Sequence, residues 1–363
     1  MTGDSSIPPS FHQRDASDAT YLSAFLHRDL SGTGDVVLAY EAALRSWFGA
    51  AAAVSVSSGS AAVMVALGAL GLRPGDEVVV PPTAPLCTVY PILAMGGVPV
   101  FCDTREDGFG LDLDDLESVV GPRTRAIIEV PMWGYPTPLI PLRAFADDLR
   151  LPLVLDLAHG HGIRLSGRPL WTYGHLATFS THESKFLSTG EGGFILTDDA
   201  DLAKAARRFS RRGGLNGRHL GLSLTLCGLQ AALGLRRLRL LNEHLRVRGQ
   251  NARHILKQLT QPQLQELPVT SGGEPNYYFL VLRHRGGSAH DLIEQLAAQG
   301  IPSDIRRYRC RPLYEFPILS AYRHPCENAR RLLGSMTTIP VHPSLTTTEL
   351  DRIAAAINHV SRL

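Results

Sequence analysis

The chain reads as a two-part α/β protein, with a mostly parallel sheet packed between helices and a smaller α+β portion behind it. Three observations lead there. Short apolar runs recur from about residue 50 onward, separated by stretches of helical periodicity. Strands that short and that uniformly apolar are buried on both faces, which is how a helix-covered parallel sheet looks in sequence. The texture changes after about residue 240, and 363 residues exceed one typical domain. At 44% hydrophobic and 19% charged residues, the composition is that of an ordinary globular protein.

Taken in order, residues 1–35 are polar and are expected to wrap the surface or reach a partner subunit. A strand over 52–56 leads through Ser58-Gly59-Ser60 into a helix ending near Leu70. Strands over 77–80, 98–102, 126–130 and 153–156 alternate with helices over 86–95, 113–120 and 141–149. Segments 176–179 and 194–197 extend the same layer, and a helix over 199–212 covers it. A long Leu- and Arg-rich helical region is expected over 222–259. Behind it the periodicity predicts strands over 277–282, 301–304 and 336–341, and helices over 289–299, 323–333 and 347–359. The boundary falls near residue 240, giving a large domain over 1–240 with the N-terminal arm and a small C-terminal domain over 241–363.

Several function classes find no support. A formal charge of +2 gives no reason to expect nucleic acid or a membrane surface as partner. The first six residues lack the basic and apolar regions of a signal peptide, and no apolar run is long enough to span a bilayer. The five cysteines are scattered and never form a C-x-x-C pair, as expected of a reduced, cytoplasmic protein without a structural metal. There is no G-x-G-x-x-G fingerprint, Walker loop, H-E-x-x-H or G-x-S-x-G elbow. The arginine-rich stretches 207–218 and 236–253 read as solvated helix faces, with contact to a phosphorylated substrate as the lesser alternative.

Lys185 is the most informative residue. Only three lysines, Lys185, Lys204 and Lys257, occur among 36 basic residues. A chain that takes nearly all its positive charge from arginine needs a reason to keep an amine, and a lysine can form a Schiff base where an arginine cannot. Lys185 follows a strand ending at Ser180 and precedes the tight turn Gly190-Glu191-Gly192-Gly193. We therefore read it as the lysine that holds pyridoxal 5'-phosphate. Asp156 ends a buried strand, where open α/β sheets place their ligands, and a protonated pyridine nitrogen would satisfy its charge. His159 lies three residues on, where it could stack on the ring or bond its phenolic oxygen. Gly59, with hydroxyls from Ser60 and Ser180, suits a phosphate at a helix N-terminus. A simple helix cap is the competing reading of Ser58-Gly59-Ser60, and His159 and His161 lack the further ligands that a metal site needs.

As an ordered set these motifs resemble the DegT/DnrJ/EryC1/StrS family, the sugar aminotransferases of the fold type I pyridoxal-phosphate class. The resemblance runs from Ser31 to the C-terminus. It includes Ser58-Gly59-Ser60, Arg73-Pro74-Gly75-Asp76-Glu77-Val78, Asp156-x-x-His159, Ser180-x-x-x-x-Lys185 and Gly190-Glu191-Gly192-Gly193. It continues through Gln230-Ala231-Ala232-Leu233-Gly234 and Ile339-Pro340-Val341-His342-Pro343-Ser344-Leu345-Thr346. It implies a homodimer with active sites at the interface. It also implies Lys185 as the covalent anchor and proton shuttle, Asp156 on the pyridine nitrogen, and Gly59, Ser60 and Ser180 on the phosphate. The reaction implied is transfer of an amino group from an amino acid, glutamate or glutamine, to a keto sugar or keto-cyclitol in secondary-metabolite or cell-surface sugar biosynthesis.

The departures are specific. Pro85 stands where relatives carry an aromatic residue against the cofactor. The family's G-x-N-x-R element reads Gly221-Leu222-Ser223-Leu224-Thr225, while Asn216-Gly217-Arg218 imitates it seven residues earlier. Pro85, Ser223 and Thr225 motivate an alternative, elimination, dehydration or another carbon-acid step on the same cofactor. A non-catalytic relative that binds ligand or a partner enzyme is a further alternative, against which retention of Lys185 and Asp156 stands. Ser31-Gly32-Thr33-Gly34 and Arg306-Arg307-Tyr308 are candidates for the acceptor site, with plain turns or exposed clusters as the competing reading.

Overall fold

The computed structural model describes residues 6–285 and 287–360; the expectation for the first five residues lies outside them. The apolar runs become a seven-stranded sheet made of β1 (Ala52–Val56), β2 (Glu77–Val80), β3 (Val98–Phe101), β4 (Thr124–Glu129) and β5 (Leu153–Asp156), then, after a hairpin of β6 (Arg164–Leu165) and β7 (Arg168–Pro169), β8 (Leu176–Ser180) and β9 (Gly193–Thr197). The order is β1-β9-β8-β5-β4-β2-β3, and every neighbouring pair is parallel except the two that β9 makes. All residues of β5, β8 and β9 are buried. Helices α1 (Ser17–Ser23) and α2 (Asp35–Phe48) precede the sheet, and α3 (Gly59–Ala69), α4 (Leu86–Ala94), α5 (Leu113–Val119), α6 (Leu139–Asp148) and α7 (Ala200–Ser210) cover it. Ser58, Asp112 and Asp199 cap α3, α5 and α7 by accepting backbone N–H bonds, which sets where those helices begin.

The expected helix over 222–259 forms as two shorter ones, α8 (Gly228–Leu238) and α9 (Leu241–Leu256). Residues 222–225 are extended instead, because the edge of β1 needs partners. Thr225 bridges Val56, Ser57 N–H donates to the Leu224 carbonyl at 2.9 Å, and Ser223 bridges Arg211. The buried carboxylate of Glu41 completes that edge, accepting from Ser55 N–H at 2.9 Å and from Arg207 at 2.6 Å.

Behind the sheet come β10 (Leu264–Glu266), β11 (Gly273–Glu274), β12 (Leu280–His284), α10 (His290–Ala298), α11 (Asp304–Arg307), α12 (Glu327–Gly334), β13 (Met336–Ile339) and α13 (Thr347–Asn358). Strands β10, β12 and β13 make an antiparallel sheet, and β11 joins the β6–β7 hairpin. The strand expected over 301–304 does not form. Ser303 and Asp304 bond the hydroxyls of Thr337 and Thr338, at 3.0 and 2.7 Å, in place of a backbone ladder.

The polar N-terminal arm wraps its own chain. Ile7 N–H donates to the Gly300 carbonyl at 2.8 Å, and His342 bonds the Pro8 carbonyl at 2.8 Å. Arg237 donates to the Gln13 carbonyl at 2.6 Å and to Asp18 at 3.0 Å. Ile7 is buried with the small sheet, α9, α10 and α13, so the arm belongs to the second hydrophobic cluster of the molecule.

His161 shows how apolar the main core is. It follows β5 and lies among Phe48, Phe179, Phe186 and Phe194, with ring centroids 5.2 to 6.5 Å away. Neither ring nitrogen has a partner among the described residues, and burial pushes its pKa down from 6.5 to about 3. The unfolded chain therefore takes up a proton here that the fold refuses. Stability is complete above the unfolded pKa and falls as pH drops below it, by up to about 1.4 kcal/mol per pH unit. His161→Phe is expected to flatten this acid limb in urea unfolding measured from about pH 7 to about pH 4. An unchanged slope would mean the ring is not the proton-refusing group.

Candidate active site

The carboxyl ends of β1, β2, β4, β5 and β8 open into one cavity of about 480 Å³, the place where sheets of this kind bind ligands. All six residues singled out from the sequence line it: Gly59, Ser60, Asp156, His159, Ser180 and Lys185. Of the three lysines, Lys204 and Lys257 are exposed, whereas Lys185 is half-buried at the cavity.

Asp156 is 5% exposed. It accepts from the Thr88 hydroxyl at 2.6 Å and from Ala158 N–H at 3.1 Å, and no cation pairs with it among the described residues. Burial pushes its pKa up, against the opposing pull of Thr88, Ala158 and Lys185. Thr88 was not anticipated from sequence; its position on α4, whose first turn starts after Pro85, delivers the hydroxyl. Pro85 itself lines the cavity, so the wall there carries no aromatic ring.

The start of α3 is built by close approach. A Cβ on Gly59 would lie 2.8 Å from Ser180 Cβ and 3.1 Å from its hydroxyl oxygen, so only glycine lets the start of α3 meet the end of β8 this tightly. Ser58 caps α3 through Ala61 N–H at 3.0 Å, and Ser60 donates to the Cys87 carbonyl at 3.1 Å. The capping reading of Ser58 thus holds alongside whatever Gly59 and Ser60 bind.

His159 is held by residues the motifs did not reveal. Trp133 N–H donates to His159 Nδ1 at 3.3 Å, which leaves the ring proton on Nε2. Trp133 adopts φ +50°, a strained setting for a bulky residue, and that aims its N–H. The His159 and Tyr278 rings stack at 4.2 Å and 13°, and Lys185 Nζ lies 4.9 Å from the Tyr278 ring centroid. Burial, then the charges of Lys185 and His161, hold the His159 pKa well below 6.5, so the ring is neutral. Beneath this stack, buried Arg248 donates to the Tyr278 carbonyl at 2.7 Å and lies 4.6 Å from the Phe186 ring. After Lys185, Arg237 bonds the Ser188 carbonyl and hydroxyl at 3.2 and 3.1 Å, fixing the return of the lysine loop.

The opposite wall comes from the C-terminal part of the chain: Asp304, Tyr308, Cys310, Arg311 and Phe316. Of Arg306-Arg307-Tyr308, only Tyr308 lines the cavity; Arg306 pairs with Glu294 at 2.8 Å, and Arg307 lies over Tyr308. Ser31-Gly32-Thr33-Gly34 does not line it, and Gly32 packs on Thr225 instead.

These residues fit pyridoxal phosphate. A buried carboxylate with two donors and no counter-ion suits a protonated ring nitrogen, a neutral His159 can donate from Nε2, and the N–H groups that open α3 beside Ser180 suit a phosphate. Gly59→Ala is expected to weaken cofactor binding about tenfold, the loss of one charge-assisted bond, in an absorbance titration. Thr88→Val should weaken it as well, because Asp156 loses its shorter bond. Unaltered affinity in both variants would place the cofactor elsewhere.

The sequence profile described as the DegT/DnrJ/EryC1/StrS aminotransferase family matches residues 12–358. The GDP-perosamine synthase of Caulobacter vibrioides is 29% identical over 352 residues, covering 91% of each chain. The dTDP-3-amino-3,4,6-trideoxy-alpha-D-glucose transaminase of Micromonospora megalomicea subsp. nigra is 31% identical over 339 residues, covering 90% of each. The crystal structure of a sugar aminotransferase from Micromonospora echinospora superimposes with a TM-score of 0.88 at 29% identity, over 97% of this chain and 99% of that one. With the profile spanning nearly the whole chain and the fold shared throughout, this protein belongs to the DegT/DnrJ/EryC1/StrS aminotransferase family.

Proposed function

We propose that the chain moves an amino group from an amino acid, glutamate or glutamine, to the keto carbon of a nucleotide-linked sugar or a cyclitol, in secondary-metabolite or cell-surface sugar biosynthesis. The observation that carries this reading is the meeting of Lys185 and Asp156 in one cavity, at the end of a sheet whose family transfers amines.

Pyridoxal phosphate, when bound, supplies the electron sink for a proton-transfer reaction at carbon. Everything else is assigned to the chain. Asp156 holds the ring nitrogen's proton, supported by Thr88. His159 donates from Nε2 to the phenolic oxygen, oriented by Trp133. The amides that open α3 at Gly59 and Ser60, with the Ser180 hydroxyl, take the phosphate. Lys185 is the covalent anchor between turnovers; once released, its Nζ accepts the substrate proton and returns it two bonds away, as general base and then acid. Tyr278 lies against that amine and narrows the directions it can reach.

The active unit is a homodimer in this reading. The excursion between Arg211 and Ser223 leaves Leu215 and Leu220 74% and 79% exposed, side chains a second copy would cover. Asn216 lies at its exposed end and Ser223 in its paired base, which supports Asn216 over Ser223 as the residue that reaches a neighbouring copy's site. Among the described residues no helix is long and apolar enough to cross a membrane.

The test is spectroscopic. The visible band of the lysine-bound cofactor should bleach on adding L-glutamate or L-glutamine, with stoichiometric release of the 2-keto acid. Lys185→Ala should lose both that band and steady-state turnover. Turnover retained in this variant would reject the assignment, and a band that ignores both amino acids would exclude these donors.

A further inference from the structure

Asp304 is a carboxylate that the chemistry above leaves unused. It opens α11 and is 8% exposed, yet it lines the same cavity as Lys185. Its backbone is pinned, because its N–H donates to the Thr338 hydroxyl at 2.7 Å and its carbonyl accepts from Cys310 Sγ at 3.6 Å. The carboxylate itself has one partner among the described residues, the Trp133 indole N–H, which reaches Oδ2 over a long 3.4 Å. Among the described residues no cation lies within ion-pairing distance, and nothing donates to Oδ1. A carboxylate buried this far is costly unless hydrogen-bonded. Burial pushes its pKa up to about 6, against Trp133, Lys185 and Arg307. The fold thus spends specific bonds on holding in place an acceptor that it does not satisfy.

Its position separates it from the cofactor machinery. Trp133 gives its backbone N–H to His159 and its indole N–H to Asp304, so the two acceptors meet opposite ends of one residue. Asp304 therefore belongs to the wall formed by Tyr308, Cys310 and Arg311, facing the part of the cavity left for substrate. Arg311 on that wall is positive, stacked 4.2 Å from the Phe316 ring and without an ion-pair partner among the described residues. Two substrates must alternate here. One carries a carboxylate and the other a ring of hydroxyls.

We propose that Asp304 is a specificity-determining residue that accepts a hydrogen bond from a ring hydroxyl of the keto acceptor and repels the carboxylate of the amino donor from that side of the cavity. The inference rests on the aminotransferase reading above and deepens it. It sorts the two half-reactions. The acceptor is recognised through an anion that the donor avoids.

The experiment uses the full-length holoenzyme and follows the two half-reactions separately, in the wild type, Asp304→Asn and Asp304→Ala. The donor half is bleaching of the visible band by L-glutamate or L-glutamine. The acceptor half is its return with scyllo-inosose or a dTDP-linked 4-keto-6-deoxyhexose, each compared with its monodeoxy analogues. Asp304→Ala should raise the acceptor KM by about 10- to 100-fold, the range for a hydrogen bond to a charged group, with the donor half unchanged or faster. Asp304→Asn should fall between, and for one monodeoxy analogue the penalty should vanish. Equal slowing of both halves, or a shifted or missing visible band, would make Asp304 a structural support of Trp133 and overturn the proposal. A penalty that persists with every analogue would overturn it too. Failure of the wild type to bleach with any donor would instead sink the aminotransferase reading. Bleaching followed by no reaction with either acceptor would discard this acceptor class, and the inference with it.

Discussion

A buried carboxylate at the end of the central strand organises this molecule. Asp156 ends β5, the strand with three neighbours on either side in the sheet order, and the protein alone supplies it only Thr88 and one backbone amide. A charge in such a place is tolerated only with further compensation. The surroundings follow from that need. The turn into α4 must deliver Thr88, the turn after β4 must bend through a strained Trp133 to reach His159, and the start of α3 must press against the end of β8. Each is a departure from the least-strained backbone or from free packing, and each faces the same cavity. What the fold leaves incomplete at Asp156 is what a protonated ring would complete.

The central sheet was legible in sequence because its strands are apolar on both faces and short. Runs such as Leu153–Asp156 and Glu77–Val80 have no competing period. The misreadings have a common cause: backbone whose partners lie far along the chain. Residues 222–225 have the leucines of a helix but are drawn out to finish the edge of β1, more than 160 positions earlier. Residues 301–304 have the look of a strand, but side-chain hydroxyls take their bonds. The site divides in the same way. Lys185, Asp156 and the glycine at 59 are visible because their chemistry is local to a motif. Thr88, Trp133, Tyr278 and Asp304 act through distances that only folding sets; nothing in Pro131-Met132-Trp133-Gly134 announces a strained N–H donor.

Buried arginines have a related role. Arg248 and Arg237 lie under the site and touch no substrate space, yet one holds the carbonyl of Tyr278 and the other the loop that carries Lys185. Arg248 donates to a carbonyl, and Arg237 divides its donors among the Gln13 and Ser188 carbonyls and the Asp18 carboxylate, so each guanidinium acts as a fan of donors and not as a point charge alone. This is one physical reason for a chain to use arginine where lysine would supply charge but not geometry. It leaves the single amine at the cavity without a rival of its own kind.

The N-terminal arm has a consequence for how the fold closes. Ile7 and Pro8 find their partners at Gly300 and His342, far along the chain. Arg237, which steadies the lysine loop, is itself held by Gln13 and Asp18. Contacts of such long sequence separation carry the loop-closure cost of everything between them. The loop that presents the amine is thus clasped by a segment whose own docking depends on the small sheet being in place.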